Sequence, residues 1–284
     1  MVLHLLDGTY ELFRAHFGAP SRRAPDGREV GATVGLVQTV LGLLAAPEVT
    51  HLAVATDHVI ESFRNHLFPG YKSSEGVDPD LLAQFELAEQ ALASLGVVVW
   101  PMVEFEADDA IATAAHRFAP ETRQVRILSP DKDFAQCVEG DRVVTVDRRR
   151  GRILDEPGVV AKFGVAPESI PDYLALVGDK ADGIPGLPGW GPKTASRVLA
   201  RHPHLEDIPR DLDWIPARLI ETLFDRWEDV ILYRELATLR RDVPLEEDLD
   251  ALEWRGVPRD RFLDMCDRLG VRGLRDRPRR WAVT

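Results

Sequence analysis

The chain has 284 residues, 45% hydrophobic and 29% charged, with a formal net charge of −12; this is the profile of an ordinary globular protein with room for one large domain or two modest ones. Its two cysteines, Cys137 and Cys266, lie far apart in no ligand spacing, which excludes a disulfide framework and a thiolate zinc site and suits a reducing, cytoplasmic setting. No apolar run approaches the roughly 18 residues a membrane span needs, and the N-terminus enters a strand-like run with no basic leader.

Strand-like runs fall at Val2–Leu6, His51–Ala55, Val97–Trp100, Val125–Leu128 and Arg142–Val146, and helical patterns at about Gly31–Leu44, Asp80–Leu95 and Ala107–Phe118. Strands alternating with helices predict an α/β core with a mainly parallel sheet. The stretch Asp147–Ile153 reads as a tight turn between two strands, with Gly151 at the bend. From about Leu154 the pattern becomes helices punctuated by proline and glycine: a short helix stopped by Gly164, a glycine- and proline-rich turn opening a helix at Pro192, and amphipathic segments at Pro216–Leu239 and Pro258–Leu269.

Nine carboxylates sit at the ends of apolar runs: Asp7, Asp57, Glu106, Asp108, Asp109, Asp131, Asp133, Asp179 and Asp182. In α/β proteins the carboxyl ends of the strands are where sites form. So many acids at one edge would repel one another unless neutralised, and hard divalent cations with oxygen ligands, Mg²⁺ or Mn²⁺, are the usual solution. Each cluster alone has a plainer explanation, a helix cap or a turn; together they point to a metal-dependent phosphoryl or phosphodiester enzyme. Setting the nine aside leaves −3 of the net charge, so the acidity does not exclude a nucleic-acid partner. Local basic groups occur at Arg22–Arg23, Arg148–Arg150, Arg152 and Arg279–Arg280.

The stretch GLPGWGPKTAS nearly spells a nucleotide-binding phosphate loop, but Pro192 intrudes before Lys193 and no strand precedes it. Its glycines suit instead a helix-hairpin-helix whose backbone N–H groups, with Lys193, Thr194 and Ser196, face a nucleic-acid phosphate without reading bases. After Asp57, the residues Arg64, Tyr71 and Lys72 supply cations and a ring for a phosphate and a base.

The stretches LLDGTYELFRAHF, EADDAIAT, LSPDKDFAQ and GDKADGIPGLPGWGPKTA, in this order and spacing, resemble the 5′-nuclease domain of bacterial DNA polymerase I and the related flap endonucleases. The resemblance runs to about Leu274, with no polymerase region following, which implies a stand-alone nuclease. It implies a PIN-like α/β core over residues 1–160, with an arch near 64–82, and a helical DNA-binding region over 161–284 with a helix-three-turn-helix near 178–200. It implies two-metal hydrolysis of DNA, a 5′→3′ exonuclease and 5′-flap endonuclease serving repair and primer removal. By position Asp7, Asp57 and Asp108 resemble first-metal ligands, and Asp131, Asp133, Asp179 and Asp182 those of the second; Glu106 falls between the two and Asp109 completes the cluster. Arg64 and Lys72 would neutralise the scissile phosphate, Tyr71 would stack a displaced base, and Arg14 would contact phosphate. Gly189, Gly191, Lys193 and Thr194 would grip the duplex, where members of the family often hold K⁺. Expected partners are DNA with 5′ ends, flaps, nicks or gaps and RNA primers in hybrids, bound by a monomer in the nucleoid. Two departures stand out: Glu75, Asp78 and Asp80 make the arch acidic where an arginine is usual, and Pro130 replaces a common glycine. An acidic arch would weaken flap capture, which favours a non-catalytic DNA-binding paralogue as one alternative; a PIN-type RNase is the other.

Overall fold

The computed structural model describes Met1–Val283. Along the chain run β1 (Val2–Asp7), α1 (Gly8–Gly18), α2 (Gly31–Leu44), β2 (His51–Asp57), α3 (Phe63–Leu67), α4 (Pro79–Leu82), α5 (Phe85–Ala93), β3 (Val98–Met102), α6 (Ala107–Phe118) and β4 (Gln124–Leu128). Then follow β5 (Val143–Asp147), β6 (Arg152–Leu154), α7 (Glu156–Phe163), α8 (Ile170–Val177), α9 (Pro192–Leu199), α10 (Ala217–Asp225), α11 (Trp227–Ala237) and α12 (Arg259–Arg268). They pack as two compact units, each built from separate stretches: residues 1–60, 74–129 and 241 onward in one, 61–73 and 130–240 in the other. This division differs from a single cut near residue 160. Residues 130–160 pack with the helical unit, and the segment from 241 returns to the α/β unit.

In the first unit, β1, β2, β3 and β4 are parallel, in the order β3–β2–β1–β4. Every residue of β2 is buried, as are Leu3, Leu5 and Leu6 of β1, which is why these strands read as unbroken apolar runs and not as alternating ones. Parallel strands bring their carboxyl ends to one edge, and there lie Asp7, Asp57 and, beyond β3, Glu106 at the start of α6. Helix α1, absent from the expected pattern, begins on the residue after β1: Asp7 caps it, its Oδ1 accepting the Tyr10 N–H at 2.8 Å. With no connecting loop there was no turn signal to find. Gly8 permits the abrupt bend, since a Cβ there would lie 2.7–2.8 Å from atoms of Val54, Ala55 and Thr56 on β2.

The single helix expected over Asp80–Leu95 is two, α4 and α5. Between them Gln84 is fully buried, its Oε1 accepting the Thr33 N–H and hydroxyl from α2 and its Nε2 donating to the Asp80 carbonyl. The segment from 241 wraps this unit: Val243 N–H donates to Thr113 Oγ1 at 3.2 Å, Arg117 Nη1 to the Leu245 carbonyl at 2.8 Å, and Trp254 Nε1 to the Leu95 carbonyl at 2.9 Å.

The second unit is mainly helical. It carries the antiparallel pair β5–β6, joined by the arginine-rich turn with Gly151 at φ +62°. Helix α7 ends at Gly164 in the left-handed conformation, as its sequence predicts. The segment Pro216–Leu239 is not continuous but breaks at Arg226 (φ −114°, ψ 34°) into α10 and α11. Between α8 and α9, Asp179 and Ile184 exchange backbone hydrogen bonds of 2.8 and 2.7 Å, and Ile184, Leu187 and Trp190 fill the core below. Gly183 in this turn has φ +76°, and a Cβ there would strike the Gly70 carbonyl oxygen. Replacing Gly183 with Ala should therefore lower unfolding free energy by about 1–3 kcal/mol in urea titration. Gly191→Ala, where a Cβ meets nothing within 4 Å, should cost less; equal costs would show that the turn is not strained at Gly183.

Candidate metal centre

The acids divide between the units. In the first, both Asp7 oxygens are engaged: Oδ1 by Tyr10 N–H and Oδ2 by the Ser129 hydroxyl at 2.9 Å, from the residue just after β4. Asp57 closes β2. Its N–H donates to Thr9 Oγ1 at 2.7 Å, and its Oδ1 accepts the N–H of Ala107, the first residue of α6, at 2.7 Å. That one bond seats the start of α6 on the end of β2, carrying Glu106 and the half-buried Asp108 with it. Glu106 and Asp109 cap α6 reciprocally, the Glu106 N–H donating to Asp109 Oδ2 at 3.1 Å. Asp109, expected to complete the metal cluster, is 0% exposed. The same capping box that orients Glu106 holds the Asp109 carboxylate.

In the second unit, Asp133, Asp179 and Asp182 each bring a carboxylate oxygen within 4.8 Å of the others, the one such group among the described residues. Asp131 does not join that triad; its Oδ1 accepts the Asp133 N–H at 2.9 Å and shapes the turn that follows β4. Asp179 Oδ1 accepts the Ala181 N–H at 3.0 Å, and its Oδ2 lies 2.6 Å from Lys132 Nζ. Asp182 lies 3.4 Å from Lys72 Nζ and accepts the Lys72 N–H on its backbone carbonyl. Burial pushes the Asp133 carboxyl well above the usual carboxylate range, with further upward pressure from Asp131, Asp182 and Asp179 that Lys132 only partly offsets. Burial alone would pull the Lys132 ammonium down, but its hydrogen bond to Asp179 and the surrounding carboxylates outweigh this, and it stands raised. Lys132 was not singled out in the sequence, although its place between Asp131 and Asp133 was a visible signal.

Whether this set suits a metal is decided by Asp133 Oδ1, which is buried and has no hydrogen-bond partner among the described residues. A buried lone pair left unmatched among three carboxylates has the donor chemistry of a hard-cation site, and it is costly in any other role.

Other expected site residues fare differently. Arg64 is 1% exposed, and within the second unit its Nε donates to the Leu236 carbonyl and its Nη2 to the Thr238 carbonyl, both at 2.9 Å. These bonds join α3 to the end of α11, a structural part for Arg64 that the sequence does not reveal. Tyr71 is 5% exposed within the hydrophobic core, so it presents no face to a base. Ser196 donates its hydroxyl proton to the Pro192 carbonyl at 2.5 Å, which leaves none for a phosphate. Lys193 and Gly189 are exposed, Gly189 at φ +84°, and Gly191 caps α9 with no side chain over the first-turn N–H groups. Arg14 lies on α1, its Nε donating to Glu11 at 2.7 Å and its Nη2 to Thr39 at 3.0 Å, with its side chain 40% exposed. Of the acidic stretch, Asp78 caps α4 and lies 3.2 Å from His16 Nε2, while Glu75 and Asp80 are exposed.

Residues 2–164 match the family model described as the 5′-3′ exonuclease N-terminal resolvase-like domain, and residues 165–260 match that of the 5′-3′ exonuclease C-terminal SAM fold. A 5′-3′ exonuclease of Aquifex aeolicus is 32% identical over 251 residues, covering 87% of this chain and 86% of that protein. DNA polymerase I of Bacillus caldotenax is 34% identical over 279 residues, covering 96% of this chain; the chain spans about a third of that relative's length. Among solved structures, a bacteriophage T5 flap endonuclease in a pseudo-enzyme-product complex with DNA and metal ions superposes with a TM-score of 0.69 at 18% identity, covering 95% of this chain and all of that one. No helix of the described residues is long and apolar enough to cross a membrane.

Arg64→Ala should cost about 2–4 kcal/mol of stability, since the buried Leu236 carbonyl and the partly buried Thr238 carbonyl lose a charged donor, and Arg64→Lys should restore little because an ammonium lacks the planar fork. Chemical denaturation with unchanged midpoints would return Arg64 to a surface role. For Asp133 the native carboxyl holds its proton above the unfolded carboxylate range, so metal-free stability falls as pH rises from that range through the raised native value. Asp133→Asn should therefore raise metal-free stability at neutral pH, flatten that dependence and reduce the stabilisation given by added divalent cation. Denaturation at acid and neutral pH, with and without the cation, reads all three; a less stable metal-free variant at neutral pH would count against the buried-charge account.

Proposed function

We propose, on the premise that this chain belongs to the 5′-3′ exonuclease family, that it hydrolyses DNA phosphodiesters at 5′ ends, flaps, nicks and gaps, including RNA primers in hybrids, acting as a monomer with Mg²⁺ or Mn²⁺. The observation that carries this reading is the unmatched buried oxygen of Asp133 within the Asp133–Asp179–Asp182 triad. One divalent ion would be held by Asp133, Asp179 and Asp182 with Asp131 beside them, and another by the first unit's set, Asp7, Asp57 and Asp108 with Glu106; bound there, such ions supply an activated water and charge neutralisation for the phosphate.

The chain's own side chains do the rest. Lys72, 3.4 Å from Asp182, is the cation placed to neutralise a phosphate oxygen beside the triad, and Lys132 keeps Asp179 oriented. Ser129 and Tyr10 fix both oxygens of Asp7, and the Asp57–Ala107 bond fixes α6, so the first set is held in place before any ligand arrives. Lys193 and Thr194, with the glycines at 189 and 191 that let a backbone come close, grip the duplex backbone. The K⁺ ion expected at this turn rests on the family resemblance, as does threading of a strand past residues 64–82.

Cleavage of a 5′-flap duplex should stop in EDTA and return with Mg²⁺ or Mn²⁺. Asp179→Ala should lower the rate at least ~100-fold while leaving duplex binding largely intact. Product mapping on flap, nicked and gapped substrates checks the 5′ specificity, and full activity in EDTA would overturn the metal reading.

A further inference from the structure

Four arginines of the β5–β6 hairpin, Arg148, Arg149, Arg150 and Arg152, take no part in the chemistry above. All four are exposed and fall within five residues of a chain whose net charge is −12. The turn that carries them is tight. Asp147 pairs with Arg152 across the strands, Gly151 takes the left-handed conformation, and the Asp147 carboxylate accepts the Arg150 N–H at 3.0 Å and its Nη1 at 3.3 Å. The side chains of Arg149 and Arg152 have no hydrogen-bond or ion-pair partner among the described residues. Like charges packed on so short a turn repel one another, and the Asp147 carboxylate offsets that of Arg150.

The same unit shows where that positive field leads. Lys162, on α7, is exposed, its ammonium 4.7 Å from the centre of the Phe163 ring. Burial lowers its ammonium, Asp131 and Asp147 pull it up, and Arg150 and Lys132 push it down. It therefore feels the charges of both the hairpin and the Asp131–Lys132 segment.

We propose that the β5–β6 hairpin is an auxiliary phosphate grip for the substrate, in which Arg149 and Arg152 bind backbone phosphates of a strand that reaches the carboxylate triad of the same unit. The grip rests on the nucleic-acid reading given above. A guanidinium pairs with a phosphate through two parallel N–H bonds, so the contact reads no bases and adds affinity through release of counterions. An acidic protein thereby gains a local basic surface without changing its overall charge.

The test is the salt dependence of binding. Anisotropy of a labelled 5′-flap duplex, measured in EDTA between 50 and 200 mM salt, gives the slope of log K against log salt. Two lost phosphate contacts should flatten that slope in R149A/R152A by about 1.4 for single-strand contacts or 1.8 for duplex contacts, and weaken binding on the order of tenfold at 0.1 M. R149K/R152K should keep the wild-type slope, and R149Q/R152Q gives the same reading should the alanine pair prove less stable. An unchanged slope in a folded variant overturns the grip, as does loss of binding to anionic vesicles with the DNA slope intact. Wild-type protein that neither binds nor cuts DNA would instead overturn the nuclease reading.

Discussion

Burial of like charge governs this molecule. Asp133, Asp179 and Asp182 share one small volume, Asp133 has an oxygen that nothing among the described residues satisfies, and Lys132 supplies a positive charge against Asp179. A folded chain tolerates such an arrangement only if the surrounding backbone leaves the side chains no alternative. The mutual hydrogen bonds of Asp179 and Ile184, the glycine at 183 and the Asp131 turn together remove that freedom.

The other acids show that capping and ligation need not compete. Asp7 caps α1, Asp57 holds the first N–H of α6, Glu106 takes part in a capping box, and Asp131 closes a turn. Asp57 and Asp131 each give Oδ1 to a backbone N–H, Asp7 accepts one hydrogen bond on each oxygen, and a carboxylate oxygen that accepts one bond keeps a second lone pair. Helix capping fixes the rotamer, and a fixed rotamer is what a coordination site requires. Asp109, fully buried, is the most enclosed of these acids.

Much of this was legible in the sequence. Helices α2 and α6 fall where apolar periodicity puts them, and the β strands follow their apolar runs to within a residue or two. The hidden features are those where a tertiary partner decides. Helix α1 had no loop before it, the break at Gln84 is made by Thr33 on another helix, and the return of residues beyond 241 to the first unit leaves no local mark. The site residues divide in the same way. The acids announced themselves by position after strands. Arg64 and Tyr71 looked like ligand contacts because sequence shows charge and aromaticity but not burial. Lys132 pairs with Asp179, a residue 47 positions on, and the sequence carries no local mark of that contact.

The segment that wraps the first unit bears on how the chain comes off the ribosome. Thr113, Arg117 and Leu95 find their partners at Val243, Leu245 and Trp254. N-terminal segments ordinarily fold first during synthesis. Here the parallel strands are all made by residue 128, yet their unit lacks its outer strap until more than a hundred further residues have been translated. The intervening stretch, which holds the carboxylate triad, can fold in the meantime. The nascent chain thus spends an interval with the Asp7 and Asp57 half incompletely closed, so the elongation rate, and any chaperone that shelters the exposed strands, becomes part of how this fold is reached.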